Sequence, residues 1–135
     1  MSRILAIDYG TKRTGIAVTD PLQIIATPLQ GVSTHTLFDF LTSYFEKEAV
    51  EKIVVGWPTQ ADDSLSSNAV NVQAFINRFK KLFPDKPVLL QDEYHTSKDA
   101  MRSLIAGGVK KKQRRNKLQI DVTSAVLILQ AYMSE

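Results

Sequence analysis

The chain has 135 residues, enough for one domain with a single core and too few for two domains that close over a shared substrate. It contains no cysteine, which excludes disulfides, thiolate metal sites and a cysteine nucleophile. No apolar run approaches the length of a membrane span or of a signal-peptide core. We therefore expect a cytoplasmic protein without a membrane partner.

The net charge of +3 is distributed unevenly along the chain. Six of the 17 basic side chains fall within residues 110–117, namely Lys110, Lys111, Lys112, Arg114, Arg115 and Lys117. The rest of the chain is mildly acidic, with 11 basic residues against 14 acidic ones. A cationic segment of this kind can bind a nucleic-acid backbone by releasing counterions. The alternative is a solvated charged loop.

The first third of the chain has the pattern of three short strands joined by hairpins. Residues 3–8 and 14–20 are β-rich runs on either side of a turn that contains Gly10. A third strand is expected within residues 24–32. Because Pro28 cannot donate a ladder hydrogen bond, this strand should lie at a sheet edge or contain a bulge.

Strands and helices alternate in the rest of the chain. Apolar periodicity predicts helices over residues 34–50, 72–83, 96–106 and 120–133, with strands at 52–56 and 88–90. Three hairpin-connected strands followed by this alternation predict an α/β fold. Its mixed five-stranded sheet would carry helices on both faces, which is the layout of the RNase H-like fold.

Three acidic residues occur where such a fold would bring them together. Asp8 closes the first strand, Glu93 closes the strand that starts at residue 88, and Asp121 opens the last helix. Mg²⁺ and Mn²⁺ prefer oxygen ligands of this kind. Two such ions, about 3.5–4 Å apart, can activate water and stabilise the leaving oxygen in phosphodiester hydrolysis. The pattern predicts a carboxylate site for Mg²⁺ or Mn²⁺ that holds two ions.

Each acid also has a simpler interpretation. Asp8 shares a strand face with Ile4 and Ala6, where an unpaired carboxylate would be costly, although it could be a turn residue. Asp92 and Glu93 point to opposite faces of the strand, so only one of them can join Asp8.

Asp121 is spaced with Ala125, Ile128 and Tyr132 along one helical stripe, and a carboxylate near a helix start could merely cap it. The small residues Ser124 and Ala125 would let this helix approach the sheet closely.

Charged residues near the first hairpin have different expected roles. Lys12 and Arg13 lie in the turn beside Asp8 and are candidate phosphate contacts, or ordinary exposed cations. Asp20 is expected to be a turn residue, roughly 15–20 Å from Asp8 along the hairpin. His95 follows Glu93 and could assist proton transfer, although a loop histidine is usually just solvated.

Four blocks of sequence resemble the YqgF family of bacterial RNase H-like proteins. They are IDYGTKRTGIA at residues 7–17, VVGWP at 54–58, DEYHTS at 92–97 and DVTSA at 121–125. The resemblance spans the whole chain and implies a single nuclease domain over residues 1–135. Three positions depart from the family pattern: Tyr94 stands where arginine is usual, Trp57 where leucine is usual, and Ser124 where alanine is usual.

The resemblance also implies the chemistry and the substrate. Asp8, Glu93 and Asp121 would be the metal-binding catalytic triad of an endonuclease. The substrate would be structured RNA, in 5′-end maturation of pre-16S ribosomal RNA, or alternatively a four-way DNA junction. The sequence does not decide between RNA and DNA, or between monomer and dimer.

Two other functions stay open. The first hairpin also resembles the phosphate-binding hairpin of the actin, Hsp70 and sugar-kinase group, whose members need a second domain to close over ATP. A non-catalytic RNA-binding module of ribosome assembly could keep the same fold. Such a module would not depend on Mg²⁺ or Mn²⁺ at its carboxylates.

Overall fold

The computed structural model describes residues 2–57, 68–92 and 117–134, with side chains from residue 122 onward in the last range. Its strands are β1 (Arg3–Asp8), β2 (Arg13–Thr19), β3 (Ala26–Ser33), β4 (Val50–Trp57) and β5 (Val88–Asp92). The described helices are α1 (Leu37–Lys47), α2 (Ala69–Leu82) and α3 (Lys117–Met133), and a 3₁₀ turn covers Thr34–Thr36. No helix within these ranges is long and apolar enough to span a membrane.

The five strands form one mixed sheet in the order β3-β2-β1-β4-β5. β2 runs antiparallel to both β1 and β3, whereas β1, β4 and β5 run parallel to one another. The C-terminal ends of these three parallel strands therefore meet at one side of the sheet. We call this the carboxyl edge, and its last strand residues are Asp8, Trp57 and Asp92.

Each face of the sheet carries its own apolar cluster. The α1–α2 cluster includes Leu5, Ile7, Ile16, Leu37, Leu41, Ile53, Val55, Val72, Phe75 and Phe79. The α3 cluster contains Ile4, Ala6, Ala17, Val54, Ala125, Ile128 and Leu129. Consecutive residues of β1 alternate between the two clusters, as the pleat of a strand requires. Helices thus cover both faces of a mixed five-stranded sheet, which confirms the predicted fold class.

Most of the predicted elements are confirmed, with differences at their ends. β3 is an edge strand and its register with β2 shifts beside Pro28, so both consequences expected of that proline occur. The helix expected over residues 34–50 was too long. Its start is the 3₁₀ turn, and Val50 is already the first residue of β4. The helix expected over residues 96–106 lies outside the described residues.

Asp20 closes the β2–β3 hairpin, as predicted. Its carboxylate accepts hydrogen bonds from the backbone N–H groups of Leu22 (3.2 Å), Ile24 (2.7 Å) and Ile25 (2.8 Å). The bond from Ile25 is the main cause that lowers the pKa of this carboxyl from its ordinary value of 3.8. Because Thr19 lies beside Ile4 at the start of β1, Asp20 belongs to the opposite end of the sheet from Asp8.

We expect Asp20→Ala to lower the melting temperature at neutral pH, because three backbone N–H groups lose their acceptor. A carboxyl whose pKa is depressed by folding stabilises the protein above its unfolded pKa. That stabilisation is lost as the pH falls through the folded pKa. The difference between variant and wild type should therefore shrink in acid, as measured by thermal unfolding across pH. Asp85→Ala, at another exposed turn, is the control, and a difference that stays constant with pH would contradict the assignment.

Candidate active site

Asp8 lies at the carboxyl edge, on the face of the sheet that α3 covers. Ile4 and Ala6 pack in the α3 cluster, while Leu5 and Ile7 pack in the α1–α2 cluster. Strand alternation places Asp8 with Ile4 and Ala6, and the residue is half buried. The sheet therefore presents this carboxylate at the end of an otherwise apolar row, as the sequence predicted.

β4, the parallel neighbour of β1, has no side chain beside Asp8. Ile7 pairs with Val55, so one step further Asp8 is level with Gly56, which shares the α3 face with Val54. Gly56 in turn pairs with Gln91 of β5, about 10 Å from Asp8 at two strand spacings. Because Gly56 has no side chain, this face of the sheet presents none between Asp8 and Gln91, and we call this position the Gly56 gap. A bound ion and a phosphate oxygen could occupy this gap.

β5 places Asp92 on the face opposite Asp8. Val88 packs against the α1–α2 cluster and Leu89 against the α3 cluster. Asp92 is four residues after Val88 and therefore shares its face. The prediction that Glu93, and not Asp92, joins Asp8 depends on this register. Glu93 itself lies outside the described residues.

α3 runs antiparallel to β1 and brings position 121 towards the carboxyl edge. Near its C-terminal end, Lys52 Nζ lies 5.4 Å from the centre of the Tyr132 ring, and Lys52 pairs with Ile4 at the start of β1. From Tyr132 back to position 121 the helix rises about 16 Å. From Ile4 to Asp8 the strand advances about 13 Å. The two lengths are similar, so the backbone at position 121 lies near the level of Asp8.

Small side chains allow α3 to lie close to the sheet. Ala125 is fully buried in the same cluster as Ala6 and Ala17, and Ser124 is 3% exposed. Large side chains at these positions would hold the helix further away. The prediction that Ser124 and Ala125 permit a close approach is confirmed.

The start of α3 differs from the expectation. The helix begins at Lys117, so Asp121 is its fifth residue and does not open it. An N-cap residue precedes the first turn, and capping therefore does not explain Asp121. Lys117, which the expected helix over residues 120–133 left out, is already helical. The side chains of both residues, and residues 110–116 with the other predicted cations, are outside the described part of the chain.

A chain of hydrogen bonds holds the turn that follows Asp8. The buried Thr14 hydroxyl donates to Thr34 Oγ1 (2.9 Å), which donates to the carbonyl of Gly10 (2.5 Å). The backbone N–H of Thr34 donates to Lys12 O (3.0 Å), and Asn68 Nδ2 donates to Tyr9 O (3.1 Å). The 3₁₀ turn after β3 and the residue before α2 thereby fix the backbone next to Asp8.

Gly10 is required in this turn for a steric reason. A Cβ atom at this position would collide with the carbonyl oxygen of Arg13, which is backbone and cannot move aside cheaply. Lys12, between them, is exposed and accessible to a polyanion, whereas Arg13 is the first residue of β2 and is half buried. Trp57, at the end of β4, packs against the α1–α2 cluster.

The predicted metal-ligand set extends beyond the described residues. Within residues 2–57, 68–92 and 122–134, no group of three or more histidine, aspartate or glutamate side chains could hold an ion. Of the three predicted ligands, Asp8 has a described side chain. The hard oxygen of this carboxylate and the gap at Gly56 fit Mg²⁺ or Mn²⁺.

Sequence reasoning missed three contributors to this site. Thr34 is 24 residues from Gly10 and Asn68 is 59 residues from Tyr9, so no local pattern could connect them. Gly56 did carry a signal, because a glycine at the end of an apolar strand often marks a close approach by a ligand or another backbone.

We expect Thr34→Val to destabilise the protein by about 1–3 kcal/mol, because it leaves the Thr14 hydroxyl and the Gly10 carbonyl without their partner. Thr34→Ser keeps the hydroxyl and should recover most of this loss. Urea unfolding measures both variants. Thr36→Val is the control, because it removes an exposed hydroxyl that donates to Ser33 O. Equal losses for Thr34→Val and Thr36→Val would show that the bond to Gly10 contributes nothing special.

Comparison with solved structures supports the fold. The chain superimposes on T. thermophilus RuvC, solved in complex with a Holliday junction substrate, with a TM-score of 0.54 and 17% sequence identity. The match covers 98% of this chain and 96% of that one. At this identity the likeness establishes the shared RNase H-like fold alone.

Comparison of sequences gives closer relatives. A Phocaeicola vulgatus protein named "Putative pre-16S rRNA nuclease" is 53% identical over 133 residues, covering 98% of this chain and 96% of the relative. A Christiangramia forsetii protein of the same name is 50% identical over 135 residues and both full lengths. Residues 2–135 match the RuvX family, which is described as Holliday junction resolvase. The chain belongs to the RuvX family of nucleases.

Proposed function

We propose that residues 1–135 form one nuclease domain that hydrolyses phosphodiester bonds at the carboxyl edge, with Asp8, Glu93 and Asp121 as metal ligands. The observation that carries the proposal is the placement of Asp8. It ends the central strand on the α3 face, beside Gly56 of the next strand, and position 121 of α3 lies near its level along the sheet. Acids separated by more than 80 residues in sequence would then serve one site.

The oxygen donors fit Mg²⁺ or Mn²⁺, and we propose two ions held by these three carboxylates. When bound, such ions supply an activated water and stabilise negative charge on the attacked phosphate and on the leaving oxygen. The chain's own part is to hold Asp8 in place. The turn after β1 does this through the Thr34 and Asn68 hydrogen bonds, so the carboxylate needs little reorganisation when substrate arrives.

Basic residues around the carboxyl edge would bind the nucleic-acid backbone. Lys12 is exposed in the turn directly after Asp8, and Arg13 follows it. Residues 110–117 precede position 121 along the chain, so the cationic segment joins α3 at its active-site end. We propose that these cations position the phosphate backbone without reading its sequence.

We propose pre-16S ribosomal RNA as the substrate, cut at its 5′ end in the cytoplasm. The names of the relatives at 50% and 53% identity support this choice. The family description and the junction complex of RuvC favour a four-way DNA junction as the second candidate. Parallel cleavage assays on pre-16S RNA fragments and on four-way DNA junctions, with and without Mn²⁺, separate the two. Metal-dependent cleavage of neither substrate would contradict the nuclease proposal.

We expect Asp8→Asn and Glu93→Gln to abolish metal-dependent cleavage while the protein remains folded, because each removes a charged ligand and keeps the side-chain shape. Asp92→Asn is the matched control, since Asp92 lies on the opposite face of the sheet. It should retain most of the activity. Single-turnover rates in Mg²⁺ and Mn²⁺ measure the effect, with circular dichroism to check the fold.

Two results would contradict this arrangement. Full activity in Asp8→Asn would remove the proposed mechanism altogether. If Asp92→Asn were inactive and Glu93→Gln active, the residue that joins Asp8 would be Asp92, and the register of β5 would differ by one residue.

We expect neutralisation of Lys111, Lys112, Arg114 and Arg115 to weaken RNA binding for all sequences alike. The slope of log affinity against log salt should flatten by up to about 0.7–0.9 for each phosphate that the protein no longer neutralises. The cleavage rate at saturating substrate should change much less than the affinity, because the carboxylates are untouched. The double variant Lys80→Gln and Lys81→Gln removes two exposed charges from α2. It measures how much the salt slope changes per charge removed elsewhere on the protein. Parallel salt slopes for the wild type and the fourfold variant would show that this segment does not contact the substrate.

A further inference from the structure

A cavity opens at the carboxyl edge, on the face of the sheet that α1 and α2 cover. Its volume is about 420 Å³. Tyr9 and Thr11 line it from the turn after β1, His35 from the 3₁₀ turn, and Phe38 from the first turn of α1. The proposed catalytic chemistry uses none of these side chains.

The cavity is next to Asp8 but faces the other way. Tyr9 follows Asp8 directly, so their Cα atoms are about 3.8 Å apart. Tyr9 packs against the α1–α2 cluster, whereas Asp8 lies on the α3 face. A nucleic-acid strand that crosses the edge with one phosphate at Asp8 would therefore pass a neighbouring nucleotide over this cavity.

Arg78 presents a planar guanidinium in the cavity wall. Its Cζ atom lies 4.6 Å from the centre of the Phe38 ring, so the guanidinium rests on an aromatic face. Phe38 and Tyr9 in turn contact Phe75, with ring centres 5.4 Å and 5.1 Å away. One face of the guanidinium is thus supported by an aromatic ring that the core itself holds in place. Guanidinium planes are surfaces on which unstacked nucleobases stack.

Asp39 indicates which part of a nucleotide this cavity would accept. It lines the same cavity as Arg78, and its carboxylate would repel a phosphate. A nucleobase is uncharged and carries both donors and acceptors along its edge. An exocyclic amino group can donate to the Asp39 carboxylate, which is how acidic side chains recognise cytosine. A cavity lined by one guanidinium and one carboxylate therefore fits a neutral base and does not fit an anion.

We propose that this cavity binds a single unpaired nucleobase of RNA, one that carries an exocyclic amino group, next to the phosphate that is cleaved. The base stacks on Arg78 and donates to Asp39. A base within a duplex cannot reach such a cavity, so the substrate strand must be unpaired at this position. The position of the base relative to the cut rests on the proposed nuclease function, whereas its binding does not.

The test is a scan with single abasic positions. Short single-stranded RNAs, each with one base removed at a different position, are titrated against the Asp8→Asn protein, so that the RNA stays intact. One position should stand out, with binding weakened by about 5- to 150-fold, the range for removal of one stacked base. Uracil at that position should bind more weakly than adenine, cytosine or guanine.

Variants assign this effect to the cavity. When Arg78→Gln is added to Asp8→Asn, removal of the base at the sensitive position should no longer weaken binding. Asp39→Asn should remove the discrimination against uracil. Lys81→Gln removes the same charge from α2, about one turn further on, and should leave the scan unchanged. Arg78 is exposed, and melting temperatures check that the variants stay folded.

The outcomes separate the two proposals. A flat abasic scan, or equal effects of Arg78→Gln and Lys81→Gln, would overturn the base-binding site. Cleavage at an unchanged rate by Asp8→Asn would instead overturn the proposed nuclease mechanism, and the binding scan would still report on the cavity.

Discussion

The alternation of side chains along β1 is the constraint on which the rest of the structure depends. This six-residue strand is in the middle of the sheet, and its residues 4–7 are buried on two faces in turn. Leu5 and Ile7 serve one cluster while Ile4 and Ala6 serve the other. A slip by one residue would exchange every one of these contacts. Core packing therefore fixes the face and the edge at which Asp8 emerges.

The sequence predicted the strands, their order along the chain and the face of Asp8, because period-two and period-3.6 patterns record burial directly. Element ends were less accurate. Val50 continues the apolar pattern of the preceding helix, although its backbone pairs with Arg3 of β1. The helical state of Lys117 was not predicted, because a run of charged residues has no apolar periodicity that would mark a helix. Contacts between distant segments, such as Thr34 with Gly10, leave no local pattern at all and become visible only in the folded chain.

Fold and chemistry are specified by different parts of this chain. The apolar clusters determine an RNase H-like sheet, and RuvC reaches the same arrangement with 17% identity. Such a sheet supports many activities, so function depends on what surrounds the carboxyl edge. Here one side of that edge carries Asp8 beside the Gly56 gap, and the other carries Arg78 and Asp39.

The close packing of α3 against Ala6 and Ala17 makes the length of this helix part of the proposed active site. The contact between Lys52 and the Tyr132 ring holds the C-terminal end of α3 near the start of β1, and position 121 lies towards the other end of the helix. Each residue inserted or deleted between these points would turn position 121 by about 100° and shift it by about 1.5 Å. In the proposed site, the spacing of eleven residues is therefore under the same constraint as the identity of the acid.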